Sequence, residues 1–358
     1  MPEYSVNPLG WMSMTATVNE VRSPLSFLRN KFFGTEMTSP TKEVEVGTIR
    51  RGRKMAPLVR RGGAGVMVSG GSEEFRKVLP AHIRIKRPMT PSELINNRRV
   101  GTPIHITRGG QMEAAIRQYV ARELGYMMDD IANTEEYLCA LAIRGSIDYE
   151  DEQHVSMTVD FGRSASHDIT LSGTDLWTDA ASSPSDTFLT VSELVNDDSE
   201  CIVTDCILGS TARDAFLAND EVRAKFLWRP EAVKQGVVDF MQQFQADGAL
   251  FLGMYDRSIR VWSYARQLTL PESMGGTAVD LIRPKYAEFL CGSANAQSKM
   301  LYGAIEDFDA SPTGFVESKR FAKSWISKDP SARMELVESN PLPVLFRPDT
   351  TCSVQVVA

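Results

Sequence analysis

The sequence predicts an α+β fold in separate parts: an arm, a long glycine-tipped hairpin, a domain built on one long helix, and a second α+β core. Three observations predict it. A stretch of about 36 residues keeps an unbroken helical apolar period, short helices and strands alternate over residues 189–306, and the chain closes on strands broken by turn residues.

The length of 358 residues, 42% hydrophobic and 24% charged, leaves room for two cores or for one core with extended arms. No run approaches the roughly 18 apolar residues of a membrane span. The start, Met1-Pro2-Glu3-Tyr4, lacks the basic and apolar regions of a secretory signal.

Residues 1–47 read as an arm. Pro2, Pro8, Pro24 and Pro40 interrupt long helices, and only Leu25–Phe33 is expected to make a short amphipathic one. Residues 50–88 read as an extended hairpin that runs through Val66-Met67-Val68 and returns through Phe75 and Val78-Leu79 to Ile83-Arg84-Ile85, around the glycines of Gly62-Gly63-Ala64-Gly65 and Gly70-Gly71. A hairpin of that kind has no core and needs a partner surface.

The long helix is expected over Thr107–Arg144. Met112, Ile116, Tyr119, Val120, Leu124, Met127, Ile131, Leu138 and Leu141 form one stripe, Thr107 caps the start and Gly145 the end. At ~1.5 Å per residue it would run roughly 54 Å. Gly145–Gly162 reads as a hairpin and Thr178–Thr187 as a flexible crossing between domains. The second core is expected from Val191–Asn196, Cys201–Leu208, Ala212–Leu217, Glu231–Phe244, Leu250–Tyr255 and Ile259–Tyr264, with a tight turn at Asp256-Arg257. Near the C-terminus Met334–Val337, Val344–Phe346 and Cys352–Val356 read as strands, and Pro341 with Pro343 as a break in both helix and sheet.

Charge is uneven. Between Ile49 and Arg99 thirteen Lys or Arg face only Glu73, Glu74 and Glu93, a local excess of ten that leaves a net −17 on the rest of the chain. A basic strip on an acidic body suits nucleic acid, and it suits equally the acidic body of an identical neighbour. We assign Arg50, Arg51, Arg53, Lys54, Arg60, Arg61 and Phe75 to inter-subunit contact. Phe75 is the only aromatic residue from 49 to 99, whereas a single-strand nucleic-acid surface calls for several.

Catalytic patterns fail one by one. Asp160-Phe161-Gly162 matches the metal-binding tripeptide of protein kinases, but no catalytic loop or glycine-rich loop with a strand lysine accompanies it, so it reads as a strand end and turn. Gly62-Gly63-Ala64-Gly65 lacks the Lys-Ser/Thr finish of a phosphate cradle. His154 and His167 near Asp160 and Asp168 have no ligand spacing and read as surface loop histidines, and Ser164 and Ser166 lack a nucleophile elbow. Cys139, Cys201, Cys206, Cys291 and Cys352 read as buried free thiols. No cofactor or metal is expected.

Four collinear blocks carry a resemblance. The last contains Trp325, Asp329-Pro330, Arg333, Ser339, Pro341-Leu342, Pro348-Asp349 and Ser353-Val354-Gln355. Another runs Val159-Asp160, Gly162-Arg163, Ile169-Thr170, Ser172-Gly173 and Trp177, and a third Tyr302-Gly303, Ile305, Asp307, Asp309-Ala310, Gly314, Arg320 and Lys323. Phe27-Leu28-Arg29 with Phe32-Phe33 makes the fourth. In these the chain resembles the lambda-type phage major head proteins, the capsid protein E family.

That resemblance implies the Hong Kong 97 capsid fold: an arm at 1–49, an extended loop at 50–88, a peripheral domain at 89–189 completed by 316–358, and an axial domain at 190–315. It also implies hexamers and pentamers of an icosahedral shell around packaged double-stranded DNA, in a virion assembled in the host cytoplasm. Portal, scaffold and decoration proteins are the implied partners, with no membrane. A cellular nanocompartment shell of the same fold and a cytosolic DNA-binding protein are the rival readings.

Overall fold

The computed structural model describes residues 10–20, 26–50, 55–61, 65–67, 72–90, 109–150, 156–225, 248–255, 258–272, 275–292, 296–329 and 331–358. The expectations at Arg51, Arg53, Lys54, Gly62-Gly63-Ala64, Gly70-Gly71, Thr107, His154, 231–244 and Asp256-Arg257 lie outside the described residues.

Two helices open the described chain, α1 (Trp11–Glu20) and α2 (Phe27–Phe32). The first corrects the expectation of a single short helix. Pro8 and Pro24 leave enough chain between them for three turns, and Met14 and Val18, four apart, bury one face.

Next come β1 (Glu36–Thr38), β2 (Val44–Arg50), β3 (Ser72–Val78) and β4 (Ile83–Met89). The hairpin exists and its return limb holds the expected Phe75 and Val78, but the outgoing limb is β2 in place of Val66-Met67-Val68. β2 pairs antiparallel with β3 from Val44 opposite Val78 to Arg50 opposite Ser72, while residues 65–67 have no regular structure. Ile83-Arg84-Ile85 belongs to another sheet, because β4 alternates half-buried and exposed side chains and so fits a one-sided surface.

The long helix α3 covers Gly109–Ile143, 35 residues, and stops where Gly145 takes φ +93°. The hairpin of β5 (Ser146–Glu150) and β6 (Ser156–Asp160) follows. It ends in a turn in which the Gly162 N–H donates to Asp160 Oδ1 at 2.7 Å. β7 (Asp168–Thr170) leads to α4 (Pro184–Ser199). Here the expected flexible crossing is ordered: Ser183 caps α4 with Pro184 in its first turn, and Asn219 donates to the Ser182 hydroxyl at 2.9 Å. Ser-Pro-Ser-Asp is a helix start signal as well as a loop composition.

The second core then adds β8 (Val203–Leu208), α5 (Ser210–Ala218), α6 (Asp220–Lys225), β9 (Leu250–Tyr255), β10 (Ile259–Ser263), β11 (Gln267–Thr269), β12 (Ala278–Asp280) and β13 (Tyr286–Cys291). The chain returns through β14 (Lys299–Tyr302), β15 (Ile305–Glu306), β16 (Phe315–Val316), β17 (Phe321–Lys328), β18 (Ser331–Ser339), β19 (Pro341–Val344) and β20 (Thr351–Gln355).

A mixed six-stranded sheet, in the order β7-β20-β13-β8-β10-β9, has two covered faces. Cys206, Leu208, Val261 and Phe289 meet Trp177, Phe188 and Phe216 on one side. Ile207, Trp262 and Leu290 meet Phe27 and the C-terminal half of α3 on the other. A three-stranded sheet, β17-β18-β4, packs Ala322 and Val337 against Val120, Leu124, Met127 and Ile131 of α3. Its β17 edge is closed by α1: the Thr15 hydroxyl accepts the Ala322 N–H at 3.1 Å and donates to the Ala322 carbonyl at 3.2 Å.

One expectation at the C-terminus changes. Pro341 and Pro343 lie inside β19, an edge strand paired with β14, with Met300 opposite Pro343. Both prolines share the phase that needs no N–H toward the single neighbour, which is where a strand tolerates them. β20, which the resemblance groups with the peripheral domain through 316–358, pairs with β13 and β7 inside the six-stranded sheet.

Candidate assembly surfaces

Arg50 ends β2, and Arg60 and Arg61 are exposed on irregular backbone between β2 and β3. Phe75 stands on β3 opposite Gly47, where a Cβ would come within 2.9 Å of its ring, so the missing side chain makes room for the aromatic edge. The hairpin divides into two regions. At its base Val44 and Val46 are buried against the body, whereas beyond it Met55, Leu58, Met67 and Phe75 are 89, 97, 100 and 68% exposed. Exposed apolar side chains grouped on a projection mark a surface for another molecule.

Not all of the basic strip is available for contact between copies. Arg84 Nε lies 2.5 Å from Glu338 Oε1, and Arg87 reaches Glu123 at 3.3 Å and Asp130 at 2.8 Å. These two bind β4 to β18 and to α3 within the subunit. The exposed apolar group was missed in the sequence because Val66 and Met67 were read as strand. Its signal was the absence of any polar alternation around Leu58, Val59, Val66 and Met67.

A second feature is ionic and buried. The carboxylate of Glu136 in α3 accepts the N–H groups of Leu28 and Arg29 at the start of α2 and the Tyr264 hydroxyl. Glu135 pairs with Arg29 at 3.2 Å and with Arg320 at 2.9 Å. Asp205 collects Lys31 and Arg260, both at 2.7 Å, and the Trp262 indole N–H at 2.8 Å. These several donors hold Asp205 below the usual carboxylate range against its burial. Lys31, with one carboxylate partner, is pushed by burial down to about 8. The arm is thereby tied to the long helix and to the six-stranded sheet at once. Adjacent glutamates interrupting an apolar helical stripe were the only sequence sign of it.

His167, expected on the surface, is fully buried between the Thr351 carbonyl (2.9 Å) and Asp198 (3.0 Å). It ties β20 to α4, a structural role. None of the five cysteines is in a disulfide and all are buried, and burial raises the thiols of Cys139, Cys206, Cys291 and Cys352. Among the described residues no three His, Cys, Asp or Glu side chains converge as a metal set, and no helix is long and apolar enough to cross a membrane.

The described residues thus combine buried cores, an arm locked by buried charge and a hairpin with exposed apolar and basic side chains. The chain matches the family described as Phage major capsid protein E over residues 10–356 and belongs to it. It is 36% identical to the major capsid protein of Escherichia phage lambda over 66 residues, which span 18% of this chain and only 19% of that protein. Its fold matches that of the putative capsid protein of a prophage of E. coli CFT073, at TM-score 0.70 and 18% identity over 98% of this chain and 99% of that one. A phage-related protein from Bordetella bronchiseptica RB50 matches at TM-score 0.53 and 13% identity, over 96% of each chain. The mixed helix and strand fold is thus the Hong Kong 97 type of phage capsid proteins, and the family is structural.

Proposed function

We propose that copies of the chain assemble into hexamers and pentamers of an icosahedral shell that encloses packaged double-stranded DNA. The observation that carries this reading is the hairpin: its base is buried in the subunit, while Phe75 on β3 and, beyond the ladder, Met55, Leu58 and Met67 are exposed, as are Arg60 and Arg61. Such a projection gains its apolar burial only on a neighbour, and a head-to-tail contact repeated around an axis closes a ring.

In this reading residues 1–49 are the arm and 50–88 the extended loop, with β4 anchoring its return. Residues 89–189 with 316–358 form the peripheral domain and 190–315 the axial domain, β20 joining the two through the shared sheet. Arg50, Arg51, Arg53, Lys54, Arg60, Arg61 and Phe75 contact the acidic body of the next subunit. Assembly takes place in the host cytoplasm, with portal, scaffold and decoration proteins as partners.

Electron microscopy of the purified chain tests the reading, beside a variant in which residues 52–71 are replaced by a short linker. The full chain is expected to form shells or capsomer rings. The variant should stay soluble with unchanged circular dichroism and form neither. A variant that still closes shells removes the hairpin from the contact.

A further inference from the structure

Glu335 stands in the middle of β18, directly opposite Arg87 on β4 and Ser324 on β17. It is 2% exposed, and by strand alternation it shares the face of Val337, which packs on α3. Neither of its carboxylate oxygens has a hydrogen-bond partner. Among buried side chains that is rare, since orphaned polar atoms are costly.

The neighbouring groups make the orphan more informative. Arg333 lies two residues away on the same face of β18, yet its Nη1 donates to the Ser324 hydroxyl at 3.0 Å. Arg87, opposite on β4, is turned to α3, where Nη2 donates to Asp130 at 2.8 Å and Nη1 to Glu123 at 3.3 Å. From α1 the side chains in this cluster are Met14 and Val18, which carry no charge. The carboxylate therefore has two guanidiniums within a strand's width and is bonded to neither. Directly opposed residues on adjacent strands bring their Cβ atoms within about 5 Å, so Arg87 reaches Glu335 by changing rotamer alone.

A neutral carboxyl is tolerated in such a place, whereas an ionised one has to find a partner. Burial, opposed by Arg333, pushes the Glu335 carboxyl up to about 7. We propose that Glu335 is a protonation-operated latch between α3 and the β17-β18-β4 sheet. Neutral, it leaves Arg87 bonded to Glu123 and Asp130 and the helix tied down. Ionised, it draws Arg87 across the strands to itself and releases that tie. The latch lies wholly within one chain and stands independently of the assembly reading.

Hydrogen exchange of the purified full chain, read by mass spectrometry at pH 5.5 and pH 8 and corrected for intrinsic amide chemistry, tests it. Peptides covering residues 119–131 of α3 should lose protection between the two, because the ionised carboxyl takes Arg87 off Glu123 and Asp130. Glu335→Gln should remain protected at both pH values, and Arg87→Gln should be weakly protected at both. A wild type without the step overturns the latch. So does a Glu335→Gln that keeps it or, should that variant fail to fold, an Arg87→Gln that keeps it.

Discussion

Glu136, in the long helix, accepts the backbone N–H of Leu28 at 2.7 Å across 108 positions of sequence. Its other oxygen takes the N–H of Arg29 at 3.0 Å, so a carboxylate from α3 fills the place that Ser26, with no capping bond of its own, leaves at the start of α2. Negative charge at a helix N-terminus is favourable, and here it is also buried. Glu136→Ala should strand two buried donors and the Tyr264 hydroxyl. We expect a loss of about 1 to 3 kcal/mol in urea unfolding and selective loss of exchange protection at residues 26–33. Unchanged protection there would show that the apolar contacts of Phe27 and Phe32 hold the arm without the cap.

Glu335 also predicts how stability depends on pH. Its folded value of about 7 lies above the ordinary 4.5, so between those values the folded chain holds a proton that the unfolded chain has lost. The stability it contributes is complete below about 4.5, is lost as pH rises toward about 7, and stays lost above. Glu335→Gln should flatten that part of the profile and unfold at higher urea than wild type at pH 8, by about 1 to 3 kcal/mol. Paired urea titrations at pH 5 and pH 8 decide it, and parallel profiles for the two proteins would be the contrary result.

At Gly209, which opens α5, a Cβ would lie 2.1 Å from the Arg283 carbonyl oxygen and 2.7 Å from that of Pro284. Both obstacles are backbone, and the Ala212 N–H is bonded to the same Pro284 carbonyl. The φ of −67° is ordinary, so the constraint is approach and not conformation. Gly209→Ala should therefore cost more than about 3 kcal/mol, or leave the chain insoluble on expression. A melting temperature within a degree or two of wild type would contradict the packing at this crossing.

The parts of the fold written as local periodicity were legible. The α3 stripe from Tyr119 to Leu141, the β5-β6 hairpin and the alternation of β20 depend on near neighbours. What stayed hidden depends on contacts distant in sequence. α1 is held by β17 residues about three hundred positions away, β19 is a strand only because its edge position excuses two prolines, and His167 is buried only because β20 and α4 meet around it. The candidate surface divided in the same way. The basic strip was visible as charge, but that Arg84 and Arg87 are consumed inside the subunit required Glu338, Glu123 and Asp130 to be placed beside them.

That division narrows the contact proposal to Arg60 and Arg61, which stay exposed beside Leu58 and Val59 on the hairpin's far region. A hairpin carrying Arg50, Arg51, Arg53, Lys54, Arg60 and Arg61 on a chain of net charge −7 attracts the acidic body of another copy at least as well as it attracts DNA. Each exposed ion pair is worth only about 0 to 1 kcal/mol, so these pairs set the orientation and rate of encounter more than the stability of a finished shell. Arg60→Glu with Arg61→Glu should therefore slow assembly at low salt. Raising the salt should narrow the gap from wild type, because screening reaches within about 8 Å at physiological ionic strength. A lining role toward DNA predicts the opposite pattern, with normal empty shells from the variant and a defect only on packaging. Light scattering during assembly without DNA separates the two, and kinetics equal to wild type across the salt series would remove these arginines from the subunit contact.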